Sequence, residues 1–318
     1  MIGTMQREKR TFPFPLPNGW FMVAYAEELA RGKALPLRYF GEDLVAYRGA
    51  GGEAHVLDAY CPHLGANLSR GGVVEGDTIR CPFHGWRFAG DGSCVEIPYA
   101  QRVPPRARLH AWTTLERNGA VYVWRHAEGK PPSYDVPVIP ERSDPEWTAP
   151  ERYRWKIRSR NQEMAENAVD RAHFRYVHGT LEVPASEVTV DGAWRRSIQR
   201  SKMQTPRGQV DGVIDANSFG FGCGFTRFTG ICETVLLNAQ TPIDDEYTDI
   251  RFDFVQRKEN GAAPRGGVGA AIIRDIVKQM NEDIPIWENK AYLPRPILCD
   301  GDGPIAEFRR WSEQFYSR

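Results

Sequence analysis

The sequence predicts an α+β protein of two domains joined by a proline-rich connector. Three observations carry that reading. Short apolar runs broken by glycine turns fill the first 125 residues, and six prolines crowd residues 126–150. Beyond them a strand-rich stretch precedes one long amphipathic helix.

The chain has 318 residues, enough for one large domain or two ordinary ones with real cores. Lys plus Arg and Asp plus Glu number 41 each, so no net field draws the whole molecule to nucleic acid or an anionic membrane. No apolar run is long enough for a bilayer, and the first twenty residues lack the apolar core of a signal peptide. The expected location is the cytoplasm. Six cysteines are too few for a disulfide scaffold at this length. Cys94, Cys223, Cys232 and Cys299 show no motif spacing and read as reduced thiols, whereas Cys61 and Cys81 each have a histidine close by.

After an arm over residues 1–19, Trp20 to Leu29 open the first domain, expected over 20–127. Leu44 to Arg48 and His55 to Tyr60 read as strands about the Gly49–Gly52 turn. Then follow Cys61-Pro62-His63-Leu64-Gly65 and Cys81-Pro82-Phe83-His84-Gly85-Trp86, a C-x-H and a C-x-x-H separated by seventeen residues. Each lies on a Pro/Gly turn after a strand, so two loop tips can face each other. Two thiolates and two imidazoles so arranged match a Rieske [2Fe–2S] centre, where histidines replace cysteines on one iron. The alternative is a Cys2His2 zinc site, but such sites pair like ligands as C-x2–4-C, and here each loop gives one of each. Ala120 to Arg125 reads as a closing strand. Residues 128–150 form the proline-rich linker, which can be neither helix nor inner strand.

The second domain, 151–318, holds the stretch Glu166 to Gly179, with Asp170, His173 and His178 among apolar residues. Two imidazoles with a distant carboxylate suggest a non-haem iron; the plainer alternative is an amphipathic helix with incidental histidines. His178 lies five residues past His173, off its helix face, so a widened turn or a break before Gly179 is required. Val188 to Met203 reads as a strand pair and Phe228 to Gln240 as sheet. Tyr247 to Val255 alternates as a strand with one buried face. The glycine-rich Phe219–Phe225 run is expected to bend strands or leave room for substrate. Ala270 to Lys290 reads as a helix with Ile273, Val277, Met280, Ile284 and Trp287 at spacings of three and four. Asp283 falls on that apolar side, where a lone carboxylate is costly. That picks it as the third iron ligand, the alternative being a cap or ion pair. Pro285 is expected to kink the helix beyond it. Glu282 falls on the polar side with Asp275, Lys278 and Gln279, so alanine there is expected to spare both centres.

CPHLG, CPFHGW and DRAHFRYVH, in that order, resemble the oxygenase subunit of Rieske non-haem iron oxygenases. Glu282 to Lys290 with Tyr292 and Pro294, then Asp302-Gly303-Pro304-Ile305 and Phe308 to Trp311, resemble the subgroup of 3-ketosteroid 9α-hydroxylases and cholesterol 7-desaturases. One departure is Glu166, where many ring dioxygenases of the wider family carry Asn; this argues against ring dihydroxylation.

The resemblance implies a Rieske domain of small antiparallel sheets and a helix-grip catalytic domain. It assigns Cys61, His63, Cys81 and His84 to the cluster, and His173, His178 and Asp283 to mononuclear Fe(II). Asp170 matches the bridging aspartate between the centres. It further implies O2 as co-substrate and a head-to-tail homotrimer. No nucleotide fingerprint occurs in the chain, so NAD(P)H acts only through a separate reductase, with or without a ferredoxin. The expected reaction is monohydroxylation of a C–H bond in an apolar polycyclic, steroid-like molecule. Desaturation or oxidative demethylation on the same centres is the near alternative, and a non-catalytic Rieske electron carrier the one from another class.

Overall fold

The structure, a computed structural model, describes residues 12–179, 186–205, 208–230, 232–264 and 267–317. Most of the expected N-terminal arm therefore lies outside the described residues.

The first half is built of short antiparallel strands: β1 (Gly19–Tyr25), β2 (Ala34–Tyr39), β3 (Glu42–Arg48), β4 (Ala54–Asp58), β5 (Val73–Glu75), β6 (Thr78–Arg80), β7 (Arg87–Ala89), β8 (Cys94–Glu96), β9 (Thr114–Arg117) and β10 (Ala120–Arg125). They form three small sheets, ordered β1-β10-β9, β2-β3-β4 and β5-β6-β7-β8. The Ala120 to Arg125 strand falls where its apolar run predicted. β2 was not foreseen, because Pro36 and Arg38 interrupt its pattern.

The connector carries no strand or α-helix, as its prolines require, yet it does not dangle. Val136 and Ile139 are buried, and Tyr134 packs against the same core. The Tyr134 carbonyl accepts from Trp20 Nε1 at 2.8 Å.

The second half adds β11 (Glu151–Ile157), the helices α1 (Asn161–Ala165) and α2 (Ala172–Tyr176), then β12 (Ser186–Asp191), β13 (Trp194–Thr205), β14 (Gly208–Phe219), β15 (Cys223–Thr229), β16 (Thr234–Pro242) and β17 (Thr248–Gln256). The helices α3 (Val268–Asn289) and α4 (Ile305–Ser312) complete it. The seven strands make one antiparallel sheet in the order β11-β17-β16-β15-β14-β13-β12. One face receives α3: Leu236 and Phe254 meet Ile273, while Ile157 and Ile250 meet Met280 and Trp287. The opposite face packs on the first half, where Val235, Leu237 and Phe225 meet Trp20, Met22 and Tyr122.

Two expectations change here. β17 alternates as read, but both its faces are buried. Ile250, Phe252 and Phe254 look toward α3, while Asp249, Arg251 and Asp253 look into the first half. The charges survive burial because they are paired. Arg142 forks onto Asp253 at 2.8 and 2.9 Å, and Arg251 meets Asp249 at 3.0 Å and the Tyr39 hydroxyl at 2.8 Å. The glycine-rich run is the β14–β15 turn, and it serves the contact between the halves. A Cβ on Gly222 would stand 1.9 Å from the Trp20 carbonyl oxygen, and one on Gly220 would stand 2.3 Å from the Tyr134 hydroxyl.

Candidate active site: two metal-binding constellations

The cysteine–histidine loops are near copies of each other. In the first, Cys61 N–H donates to Ala66 O at 2.9 Å and Gly65 N–H donates to Cys61 O at 2.9 Å. In the second, Cys81 N–H donates to Trp86 O at 2.8 Å and Gly85 N–H donates to Cys81 O at 3.1 Å. Gly65 and Gly85 take φ of 74° and 73°, a conformation that the tight turn demands and glycine adopts freely. Both thiols are buried, Cys61 at 3% and Cys81 at 1% exposed, and the His63 and His84 rings lie 4.7 Å apart. Trp86 stacks on His63.

The four side chains fit a two-iron cluster. His63 Nδ1 is buried with no hydrogen-bond partner, an orphan that a metal would satisfy. Burial pushes the Cys61 thiol up to about 11, so a thiolate there needs a cation beside it.

The second constellation forms where the helical stretch breaks. α1 passes into a 3-10 turn over Glu166–Ala168, and α2 ends at Tyr176, two residues before His178. Gly179, at φ 70°, turns the chain away. The break lets His178 swing back, and the ligand atoms of His173, His178 and Asp283 all lie within 4.8 Å of one another.

Hydrogen bonding fixes the tautomers. His173 Nδ1 donates to the Asp170 backbone carbonyl at 2.7 Å, and a carbonyl can only accept, so Nε2 keeps its lone pair. His178 Nδ1 donates to Glu282 Oε2 at 3.0 Å, leaving Nε2 toward Asp283 Oδ1 at 3.4 Å. Asp283 is 7% exposed. Burial raises its pKa above the ordinary carboxylate value, against the pull of His178, His173 and a hydrogen bond from Asn167. Two imidazole lone pairs and one buried carboxylate are the donor set of a facial 2-His-1-carboxylate iron, and they fit it.

Asp283 thus lies where the helix periodicity put it, and α3 runs on through Pro285 to Asn289. Glu282 needs correction. It was read as a bystander on the polar side, but it orients His178 and is itself held by Lys278 at 3.0 Å. Asp170 also differs in detail. Its backbone carbonyl, and not its carboxylate, takes the outer N–H of His173. Oδ1 instead accepts from the N–H groups of Ala172 and His173 at 3.1 and 3.3 Å, at the start of α2. Neither Glu282 nor Asn167, which also accepts from Trp287 Nε1, was found from sequence. The only signal was their adjacency to Asp283 and Glu166. Glu166 is buried and forked by Arg309 at 2.8 and 3.0 Å, so it ties α4 to the iron segment.

A cavity of about 280 Å³ opens beside the three ligands, between the sheet and α3. Phe221, Leu236, Ile250, Phe252 and Met280 give it an apolar lining. Phe219 and Phe225, at the ends of the glycine-rich run, pack in the core between the halves.

Residues 19–112 match the Rieske [2Fe-2S] domain, and residues 123–316 match the 3-Ketosteroid 9alpha-hydroxylase C-terminal domain. With the two constellations, this defines a Rieske-type non-haem iron oxygenase, an oxidoreductase. Among named proteins, a 3-ketosteroid-9-alpha-monooxygenase oxygenase component of Rhodococcus rhodochrous is 32% identical, across 94% of this chain and 82% of its own. Cholesterol 7-desaturase nvd 1 of Ciona intestinalis is 30% identical, across 99% and 73%. The chain therefore belongs to the 3-ketosteroid 9α-hydroxylase family of Rieske oxygenases. Solved structures agree on the fold. A mutant of NdmA from Pseudomonas putida CBB5 with theobromine gives a TM-score of 0.75 over 92% of this chain and 88% of that one, at 19% identity. Dicamba monooxygenase bound to dicamba gives 0.73 over 95% and 98%, also at 19%. No helix among the described residues is long and apolar enough to cross a membrane.

Proposed function

We propose that this chain is an oxygenase component that hydroxylates a C–H bond of an apolar, fused-ring, steroid-like substrate, with O2 as oxidant and electrons from a separate reductase. The carrying observation is the cavity, apolar along Phe221, Leu236, Ile250, Phe252 and Met280, set directly against His173, His178 and Asp283. A Rieske electron carrier has no use for such a cavity. The named relatives, as steroid 9α-monooxygenase components, support both the reaction and the substrate class. A desaturase among them supports desaturation as the second reading.

Cys61, His63, Cys81 and His84 would hold the cluster, and His173, His178 and Asp283 the Fe(II). Iron held by those three supplies the one-electron chemistry that activates O2. Glu282 and the Asp170 carbonyl hold the imidazoles in the ligating tautomer. Ile250, Phe252 and Met280 exclude water and hold the substrate so that one C–H faces the ligands. The test is turnover of a sterol and 3-ketosteroid panel with a surrogate reductase, products read by mass. A product heavier by one oxygen is expected; conversion of a small charged alkaloid with no response to any steroid would overturn the substrate assignment.

We take the units as an arm at 1–19, a cluster domain at 20–127, a linker at 128–150 and a catalytic domain at 151–318, working in the cytoplasm as a head-to-tail homotrimer. Leu64 and Phe83 stand exposed beside the cluster histidines, and Tyr176 stands exposed on α2. These are two apolar tips suited to meet across neighbouring subunits, with Asp170 bridging His173 and the neighbour's cluster histidine. Asp170→Asn keeps an oxygen to cap α2 but loses the charge. It is expected to retain the cluster spectrum and most iron yet fail to pass electrons between centres. Single-turnover kinetics with pre-reduced cluster, substrate and O2 check this, and cluster reoxidation coupled to product at the normal rate would remove Asp170 from the bridge.

A further inference from the structure

Most buried arginines of this chain meet a carboxylate. Arg142 has Asp253, Arg158 has Glu246, Arg160 has Asp245 and Arg251 has Asp249. Arg195 is different. It stands on β13 opposite Ser218 of β14. Its neighbours Trp194 and Arg196 face the other side of the sheet, where Arg196 forks onto Asp215 at 2.8 and 2.7 Å and Trp194 Nε1 donates to Asn217 at 3.0 Å. Arg195 therefore points to the concave side, where it lines the cavity together with Phe221, Phe308 and Trp311.

Arg195 is 5% exposed, and its guanidinium lies 5.7 Å from the Phe308 ring centroid. Among the described residues no carboxylate pairs with it, and burial alone lowers its pKa with no acidic group pulling the other way. A guanidinium does not lose its proton in a protein, so the charge stays. An aromatic face offsets only part of the cost of taking such a charge out of water. Among the described residues nothing supplies its counter-charge, which leaves that role to what enters the cavity.

We infer that the cavity takes a fused-ring substrate bearing a carboxylate, and that Arg195 is the specificity-determining anchor for that group. The inference rests on reading this cavity as the substrate site. A carboxylate accepts both N–H groups of the guanidinium fork and neutralises it, whereas a ketone or hydroxyl oxygen leaves the charge in place. The rings then lie along Ile250, Phe252 and Met280, and the anchored end fixes which carbon faces the iron ligands.

The test is calorimetric binding to the holoprotein, under anaerobic conditions, of two matched pairs. One pair is 3-oxo-4-androstene-17β-carboxylic acid and its methyl ester; the other is 2-naphthoic acid and its methyl ester. Wild type is expected to bind the steroid acid roughly 10- to 100-fold more tightly than its ester. Arg195→Gln is expected to abolish that preference. Arg195→Lys, which keeps the charge without the fork, should retain part of it. The ligand-free Arg195→Gln protein should melt at or above wild type, because the deleted charge had no partner; this separates lost recognition from misfolding. Equal binding of both steroids by wild type and variant would overturn the anchor and leave the steroid reading standing. An Arg195-dependent preference in the naphthoate pair alone would uphold the anchor and overturn the steroid reading. No acid preference in either pair, or one that survives Arg195→Gln, would sink the inference.

Discussion

Asp283→Ala will purify with its cluster but with about two irons per chain in place of about three, and without turnover. The three residues proposed to hold the mononuclear iron are one buried carboxylate and two imidazoles, Asp283 with His173 and His178. Removing the carboxylate deletes the one that, among the described residues, sits with the two imidazoles, and alanine returns no donor atom. Glu282→Ala sets the contrast. It leaves all three ligands but frees His178 Nδ1, so the ring loses its orienting acceptor at 3.0 Å. Loss of such an outer partner typically weakens metal binding about 10- to 100-fold. Iron titration of apoprotein followed by spectroscopy reads both variants. Wild-type iron affinity in Glu282→Ala would show that the His178 contact orients nothing, and full iron occupancy in Asp283→Ala would remove Asp283 from the site.

Cys61→Ser and His84→Ala will each yield protein lacking the brown colour and the EPR signal of a Rieske cluster. Cys61 is 3% exposed and packs with Leu68, Cys81 and Trp86 in one core cluster. A hydroxyl there is both a poor iron ligand and a polar group without a partner, so stability should fall by about 1–3 kcal/mol besides the loss of the cluster. His84 is less enclosed, and its loss should cost the cluster with little effect on the surrounding strands. A retained Rieske spectrum in either variant, or wild-type protein that is colourless and holds only zinc, would refute the assignment.

The two variants differ because Cys61 is the more deeply buried, whereas both loops are equally legible in the sequence. The types and spacing of Cys61, His63, Cys81 and His84 sufficed to name their chemistry, since a ligand set confined to two short loops is written locally in the chain. Asp283 was legible for a related reason. A carboxylate on an apolar helix stripe is anomalous on periodicity alone, and the structure buries it beside Met280 and Trp287.

Elsewhere the periodic signal was right and its interpretation wrong. The polar side of β17 reads as solvent-facing because Arg251 and Asp253 are charged, yet the first half of the chain lies over it, and ion pairs of Arg251 with Asp249 and of Asp253 with Arg142 neutralise them. Phe219 and Phe225 belong to the run expected to bend strands or leave room for substrate, yet strand alternation sends them to the face that packs on Trp20 and Trp124.

By itself, then, the sequence determined the α+β plan of a Rieske domain followed by a catalytic domain, singled out the residues proposed as both metal-ligand sets, and placed Asp283 on the apolar face of its helix. These follow from residue type, local spacing and periodicity, which act over a few turns or one loop. Only the tertiary structure decided that Glu282 holds His178 from 104 positions away, that the Asp170 carbonyl rather than its carboxylate holds His173, and that Arg195 is buried with no carboxylate paired to it among the described residues. The reason is physical: a partner's identity depends on which surfaces packing brings together, and hydrogen-bond reach of about 3 Å is set by that packing rather than by distance along the chain.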